Sequence, residues 1–190
     1  APDAAERRPG TTHFVIVDAY GDMVSATASI EAGFGSGLMV NGYLLNNELT
    51  DFAFRPEIGG VPVANRVEGG KRPRSSMAPT VVLRDGAPVL LIGSPGGSRI
   101  IGYVAANLIR ILDWGMDPQA AFAEGHVVNR GGPTELEAGT GAEALAEGFA
   151  ARGEAVRVRA LNSGLHAILI DGEGLLGAAD PRREGVALGR

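Results

Sequence analysis

The order of β-patterned and helix-patterned segments limits this chain to few folds. Four short β-runs come first, helical patterns follow, and three further β-runs come last. The β-runs span residues 11–18, 23–30, 80–84, 87–92, 155–159, 165–170 and 175–178. Strands followed by helices and then again by strands favour one layered α+β domain over alternating βαβ units. We find no internal repeat.

Turn and cap residues place the hairpins and helices. Tyr20-Gly21 and Asp85-Gly86 are plausible hairpin turns for the first two pairs of β-runs. Helices are predicted over residues 99–113, from Pro118 to about residue 124 with Asp117 as N-cap, and over residues 142–152. The apolar stripe of the first helix is predicted to contain Ile101, Val104, Ala105, Leu108, Ile111 and Leu112.

Composition excludes several classes of protein and site. Hydrophobic residues make up 45% and charged residues 21%, which is typical of a packed core. The formal net charge of −5 gives no reason to expect nucleic acid, and no apolar run is long enough for a membrane span. Cysteine is absent, and His13, His126 and His166 lack ligand spacing. We therefore predict no metal site and no cofactor.

Thr11 is the candidate nucleophile. Inside a chain its hydroxyl has no base beside it, but at a chain start its own α-amine, with an ordinary pKa of about 7.7–8.0, can accept the hydroxyl proton. Residues 1–10 are charged, contain two prolines and lack an apolar period, so they predict a leader or linker before a cleavage site at Gly10–Thr11. The alternative is an ordinary strand residue.

The predicted hairpin brings polar residues to Thr11. If Asp18 faces Met23, Thr11 lies opposite Ile30, with a tolerance of one residue. Ser29 and Glu31 then lie within cross-strand or diagonal reach of the nucleophile.

Two further segments carry candidate chemistry. The glycines that precede the residue 99–113 helix expose backbone N–H groups at the positive end of its dipole, which suits a developing oxyanion. A phosphate loop is the alternative, but the Lys-Ser/Thr pair and the G-x-G-x-x-G spacing are missing. Residues 43–52 begin with a short apolar run and end in amides and carboxylates. Residues 53–70 are predicted to form a long loop.

Taken together, five blocks resemble γ-glutamyltranspeptidase, in particular its small, C-terminal subunit. They are Thr11-Thr12-His13, residues 44–52 with Asn46-Asn47-Glu48 and Asp51-Phe52, residues 71–80 with Ser75-Ser76, Gly93-Ser94-Pro95-Gly96-Gly97-Ser98-Arg99-Ile100, and Asp180-Pro181-Arg182. The resemblance covers residues 11 to nearly 190, in order. It implies an αββα N-terminal-nucleophile hydrolase, here a partial one, made as a precursor that cleaves itself before the threonine.

The resemblance also implies residue roles. Thr11 would attack the acyl carbonyl of a γ-glutamyl amide such as glutathione, and the N–H groups of Gly96 and Gly97 would stabilise the oxyanion. Water or an amine would then release the acyl group. The substrate-binding residues would be Ser75 and Ser76 for the α-carboxylate, and Asp51 with Glu48 for the α-ammonium.

Some features depart from the family pattern. Ser29 and Glu31 stand at positions where the family usually has Thr and Asn. Because Glu31 is not a neutral amide, the identity of the substrate stays open. Arg99 is a candidate to neutralise the Glu31 carboxylate. Residues 53–70 hold no tyrosine for a lid. The resemblance implies the large subunit as partner. In the family, that subunit supplies the arginine used on the substrate α-carboxylate.

Alternative functions remain open at this point. They are a glutaryl or cephalosporin acylase, an unprocessed fragment, and a paralogue that only binds amino-acid derivatives. Bacterial members of the family are often exported, so the resemblance implies a periplasmic or secreted location, with a cytoplasmic one also open.

Overall fold

A computed structural model describes residues 10–189, so residues 1–9 of the leader predicted over residues 1–10 lie outside the described residues. The strands are β1 Thr11–Val17, β2 Met23–Ser29, β3 Met39–Val40, β4 Tyr43–Leu44, β5 Glu57–Ile58, β6 Val61–Pro62, β7 Thr80–Arg84, β8 Ala87–Gly93, β9 Val127–Val128, β10 Thr134–Glu137, β11 Val156–Arg159, β12 His166–Asp171 and β13 Gly174–Ala179. The helices are α1 Ile100–Leu112, α2 Pro118–Ala123 and α3 Ala146–Ala150, with 3₁₀ turns at Glu48–Asp51, Gly97–Arg99 and Gly141–Leu145.

The described chain divides into two compact units. The first contains residues 10–11 and 28–76, and the second contains residues 12–27 and 77–189. Within residues 10–189, no helix combines the length and the apolar character that crossing a membrane requires.

The first hairpin forms as predicted, with a register inside the stated tolerance. β1 pairs with β2, and the Asp18 carboxylate accepts hydrogen bonds from the N–H groups of Tyr20 and Asp22 in the turn. The Asp18 N–H donates to the Asp22 carbonyl at 3.0 Å, so the register is one residue from the predicted pairing with Met23.

The core of the second unit lies between α1, α2 and a four-stranded antiparallel sheet. The strand order in that sheet is β13-β12-β8-β7. Its alternating and continuous apolar residues supply buried side chains such as Leu90, Ile92 and Ala167. α2 begins as predicted, because the Asp117 side chain accepts a hydrogen bond from the Ala120 N–H at 2.9 Å.

The predicted apolar stripe of α1 is wrong in part. Ile101 is 57% exposed, whereas Ile100 and Tyr103 are almost fully buried. The buried face therefore contains an aromatic ring and the Asn107 amide, which donates to the Tyr103 carbonyl. A prediction from aliphatic residues alone leaves these two side chains out and therefore misplaces the buried face of α1.

The sheet β11-β10-β9 was only partly predicted, because β9 and β10 were missed. β10 pairs in parallel with β11 and antiparallel with β9. It has the polar sequence Thr134-Glu135-Leu136-Glu137, yet all four residues are buried. Arginines pair with both carboxylates, and such pairing is what permits charged groups to be buried.

The first unit consists mostly of turns with two small hairpins. β3 pairs with β4, and β5 pairs with β6 inside the stretch predicted as a loop. That prediction is therefore wrong for residues 57–62. The 3₁₀ turn Glu48–Asp51 ends at Phe52, which is buried in this unit.

Candidate active site

The Thr11 hydroxyl lies next to a second hydroxyl. Thr11 is 7% exposed at the first position of β1, and its Oγ1 lies 2.9 Å from Ser29 Oγ at the end of β2. Ser29 Oγ also accepts a hydrogen bond from the Glu31 N–H at 2.8 Å. Since that bond fixes the serine side chain, Ser29 holds the Thr11 hydroxyl in one orientation.

The backbone turns sharply after Ser29. Glu31 has φ of +66°, a left-handed conformation that side chains other than Asn and Asp seldom adopt. Its carbonyl accepts a hydrogen bond from the Gly10 N–H at 2.9 Å, and the Ile30 N–H donates to the Gly10 carbonyl at 3.1 Å. Residue 10, which precedes the candidate nucleophile, is thus held on both its backbone groups to the two residues that follow β2.

Three carboxylates meet beyond this turn. Glu31, Glu48 and Asp51 are half-buried, and their carboxylate oxygens come within 4.8 Å of one another. Partial burial raises the pKa of Glu31 above its ordinary value, and the charges of Asp51 and Glu48 raise it further. A cation placed among them would relieve this repulsion, so the cluster suits an ammonium group or a metal ion.

Asparagines hold the cluster in place. The Asn46 side chain accepts the Glu48 N–H at 3.1 Å, and the Asn47 side chain accepts the Ala32 N–H at 3.0 Å. Asn47 also donates its backbone N–H to the Ile30 carbonyl. The block Asn46-Asn47-Glu48 therefore joins the carboxylate cluster to the strand end beside Thr11.

Asn65 ties the serine segment to the same cluster, and the sequence analysis missed it. Its side-chain amide donates to the Asp51 carbonyl at 2.7 Å, and its side-chain oxygen accepts the Arg74 N–H at 2.9 Å. Ser75 and Ser76 follow Arg74 directly; Ser75 is exposed and Ser76 is half-buried. No periodic pattern indicates an Asn in this role, since its two partners lie 14 and 9 residues away.

Gly96 and Gly97 lie in the second unit, between β8 and α1. Their φ values are +140° and +61°, and neither N–H donates to an acceptor within residues 10–189. A Cβ at Gly96 would lie 2.7 Å from Cε2 of Tyr103, so only glycine fits there. The segment is braced by Ser94, whose hydroxyl accepts the Gly164 N–H at 3.2 Å.

The histidines are packed groups without a shared ligand site among the described residues. His13 is 3% exposed, and its Nδ1 lies 2.9 Å from Thr27 Oγ1. Burial, together with the nearby His166, lowers the pKa of His13 to about 4. Its ring is therefore neutral near pH 7.

A second histidine belongs to a fully buried chain of hydrogen bonds. His126 Nε2 lies 2.7 Å from Ser163 Oγ, and the Ser163 hydroxyl donates to the Asp180 carboxylate. All three side chains are at most 1% exposed. No substrate reaches groups so deeply buried, so we assign them to the support of the fold.

The predicted site residues fall into two sets. Those in the first unit are Thr11, Ser29, Glu31, Glu48, Asp51, Ser75 and Ser76, and those in the second are Gly96 and Gly97. Arg99 does not have the partner proposed for it, because its guanidinium forms a bidentate ion pair with Glu135 at 2.5 and 2.8 Å.

Comparison with known proteins identifies similar sequences. A family model described as gamma-glutamyltranspeptidase matches residues 1–190. The chain is 40% identical over 185 residues to the glutathione hydrolase proenzyme of Bacillus subtilis (strain 168), an alignment that covers 94% of this chain and 30% of that protein. It is 35% identical over 179 residues to the Acylase ACY 1 proenzyme of Pseudomonas sp. (strain SE83), covering 92% of this chain and 31% of that protein.

A solved structure has the same fold. The gamma-glutamyltranspeptidase from Pseudomonas nitroreducens complexed with L-DON matches with a TM-score of 0.82 at 35% identity, over 94% of this chain and 99% of that chain. The prediction of a mixed α+β fold of the N-terminal-nucleophile hydrolase class is confirmed. The chain spans about a third of the length of the curated relatives it matches.

Proposed function

The chain belongs to the γ-glutamyltranspeptidase family, and we propose that it carries the nucleophile of a γ-glutamyl-transferring or γ-glutamyl-hydrolysing enzyme. The observation that carries this proposal is the Thr11 hydroxyl, buried and 2.9 Å from Ser29 Oγ, directly after the backbone bond to be cut. Cleavage at Gly10–Thr11 would give Thr11 a free α-amine as its own base.

The proposed reaction proceeds through an acyl-enzyme. Thr11 Oγ1 attacks the γ-carbonyl of the donor amide while the α-amine takes its proton. The N–H groups of Gly96 and Gly97 stabilise the oxyanion, an assignment that rests on the family resemblance and on their lack of acceptors within residues 10–189. The donor amine then leaves with a proton, and water or a second amine attacks the ester to free Thr11.

The carboxylate cluster indicates the class of substrate. Glu31, Glu48 and Asp51 would bind the α-ammonium of a γ-glutamyl group, because three carboxylates in a partly buried place favour a cation. Ser75 and Ser76 would donate hydrogen bonds to its α-carboxylate. The large subunit of the same precursor is the proposed partner, consistent with relatives that are proenzymes about three times as long as this chain.

An acylase is the second candidate. It is supported by the 35% identity to the Acylase ACY 1 proenzyme. A glutaryl group resembles a γ-glutamyl group but has no α-ammonium, so it would leave the three carboxylates without a cation. The cluster therefore favours the γ-glutamyl substrate.

The experiment starts from the full precursor and compares two acyl donors as substrates. Mass spectrometry first tests whether a chain that begins at Thr11 is released. The purified product is then assayed with γ-glutamyl-4-nitroanilide and glutaryl-4-nitroanilide, with Thr12→Ala as the matched control because Thr12 is exposed. We expect turnover of the γ-glutamyl donor. Release of the glutaryl donor alone would favour the acylase, and an uncut, inactive precursor would leave only a binding role.

A further inference from the structure

The carbonyl of the bond to be cut already has a hydrogen-bond donor. The Ile30 N–H donates to the Gly10 carbonyl at 3.1 Å, while the Gly10 N–H donates to the Glu31 carbonyl at 2.9 Å. These bonds and the candidate nucleophile lie in one compact unit. They hold residue 10 in place before any substrate is present.

We infer that the backbone N–H of Ile30 is the oxyanion donor for self-cleavage at Gly10–Thr11, and that amide turnover uses a different pair of donors, Gly96 and Gly97. The inference rests on the proposed function in one respect, namely that this bond is the one cut. It adds a donor to the first step of maturation that the resemblance does not supply.

The step balances without an outside catalyst. Thr11 Oγ1 attacks the Gly10 carbonyl carbon, and the carbonyl π electrons move to the oxygen that the Ile30 N–H faces. As the tetrahedral intermediate collapses, the C–N bond breaks and the Thr11 nitrogen receives the proton that left the hydroxyl. Ser29 Oγ, 2.9 Å from Thr11 Oγ1, is the hydroxyl that relays this proton. Water then hydrolyses the Gly10–Thr11 ester to a carboxylate and a free hydroxyl.

The donor is held rigidly because neighbouring residues fix the strand end. Ile30 lies between Ser29, which bonds the nucleophile, and Glu31, whose left-handed backbone returns its carbonyl to the Gly10 N–H. The Ile30 carbonyl is bound as well, by the Asn47 N–H at 3.3 Å. A donor fixed before the reaction needs no reorganisation when charge develops, which is the property of an effective oxyanion site.

Close packing also disfavours a side chain at residue 10. A Cβ on Gly10 would lie 2.6 Å from Ile30 Cγ1 and 3.2 Å from the Ala32 carbonyl oxygen. A side chain at residue 10 therefore requires the Ile30 side chain or the residue 10 backbone to move. A move of the backbone would take the Gly10 carbonyl away from the Ile30 N–H.

The first test removes the donor alone. In the full precursor, residue 30 is replaced by the α-hydroxy acid with the isoleucine side chain, so that an ester oxygen stands in place of the N–H. The matched control carries an alanine-type ester at Ala26, in the middle of the same strand. The rate of appearance of the Thr11 chain is followed by mass spectrometry.

We expect cleavage of the residue 30 ester to be slower by roughly 10²–10³-fold, while the Ala26 ester cleaves close to the wild-type rate. Cleavage of the residue 30 ester at the wild-type rate would overturn the inference. Because cleavage is read by mass, the result does not depend on amide turnover. A wild type that cleaves but turns over no amide would refute the proposed function and leave this inference standing.

The second test uses ordinary substitutions and does not depend on the ester variant folding. Gly10→Ala should slow cleavage at least tenfold, and adding Ile30→Ala should restore most of the rate by removing the atom that the new Cβ meets. Ile30→Ala alone gives the reference rate with which the double variant is compared. If Gly10→Ala cleaves at the wild-type rate, or if the double variant is no faster than Gly10→Ala, the proposed geometry is wrong.

Discussion

Ser29 Oγ lies 2.9 Å from Thr11 Oγ1 and at the same time accepts the Glu31 N–H at 2.8 Å. One serine hydroxyl therefore links the candidate nucleophile to the turn that carries the first carboxylate of the cluster. Because the serine oxygen is already an acceptor for a backbone group, its orientation is fixed by the fold. The candidate nucleophile and Glu31 are therefore positioned by one structural element.

Thr11→Ala should abolish both cleavage and turnover, whereas Thr11→Ser should cleave and retain part of the activity. The reason is that serine keeps the hydroxyl and, once freed, the α-amine beside it. Mass spectrometry of the precursor and a γ-glutamyl-4-nitroanilide assay measure the two effects. A cleaved and active Thr11→Ala variant would remove Thr11 from the mechanism.

Gly96→Ala should be more destabilising than Gly97→Ala. Both glycines have positive φ, but only at residue 96 would a new Cβ meet the Tyr103 ring, at 2.7 Å, while residue 97 has open space around it. We expect a loss on the order of 1–2 kcal/mol for Gly97→Ala from backbone strain alone, and a larger loss for Gly96→Ala. Urea unfolding of the precursor measures both.

The same two variants test the donor role. Displacing one oxyanion donor should lower kcat by roughly 10²–10³-fold with little change in KM. A Gly96→Ala protein that unfolds earlier but has the wild-type kcat would show that this glycine serves only the strand-to-helix turn.

Glu31→Gln should stabilise the precursor at neutral pH and weaken binding of a γ-glutamyl substrate. Burial and the charges of Asp51 and Glu48 raise the pKa of Glu31, so its ionisation opposes folding. This group favours folding below its unfolded pKa, and the contribution is lost as pH rises through the raised folded pKa. The Tm gain of the variant should therefore be present at pH 7 and vanish at acid pH.

The pH dependence of substrate binding has the opposite sign to the pH dependence of stability. As pH falls through the raised pKa, Glu31 becomes neutral and attracts an ammonium less, so KM of the wild type should rise. The Glu31→Gln variant should lack this part of the pH dependence, measured from KM profiles between about pH 4 and pH 7. Parallel profiles for variant and wild type would exclude Glu31 from ammonium binding.

Arg182→Lys should cost about 2–4 kcal/mol of stability. The Arg182 guanidinium makes a bidentate pair with Glu137 at 2.6 and 2.7 Å, and also donates to Asp180 and to the carbonyls of Phe122 and Glu124. A lysine has three donors at one point and cannot reproduce this fork. Arg152→Lys is the control, since Arg152 is exposed and its guanidinium, among residues 10–189, donates to the Gly148 carbonyl alone; it should change stability by less than about 0.5 kcal/mol.

Local patterns were sufficient to predict the elements that carry the nucleophile. Alternation and a turn signal gave β1 and β2, and the pairing of these strands placed Ser29 near Thr11. β10 was missed because its burial depends on contacts that are distant in sequence. The burial of Glu135 and Glu137 depends on Arg99 and Arg182, which lie 36 and 45 residues away, and no local pattern indicates such pairing.

The candidate site also combines features that a local pattern predicts with one that no local pattern predicts. The glycines before α1 have a local signature, because a strand, a glycine pair and a helix follow one another in sequence. The contact of Asn65 with Asp51 and Arg74 is made through irregular backbone, where residue spacing says nothing about distance. Sequence reasoning therefore predicted the chemical groups of the candidate site but not the Asn65 amide that joins two of its segments.

The left-handed backbone at residue 31 restricts how this position can vary over evolution. Its φ of +66° favours glycine, asparagine and aspartate, whereas its place beside Glu48 and Asp51 makes it one of the three charges of the proposed ammonium site. Asparagine keeps the turn and removes a charge, and aspartate keeps the charge on a shorter side chain. Replacement of Glu31 by asparagine would therefore alter the charge of the carboxylate cluster while keeping the turn, so residue 31 is a position where specificity can change without loss of the fold.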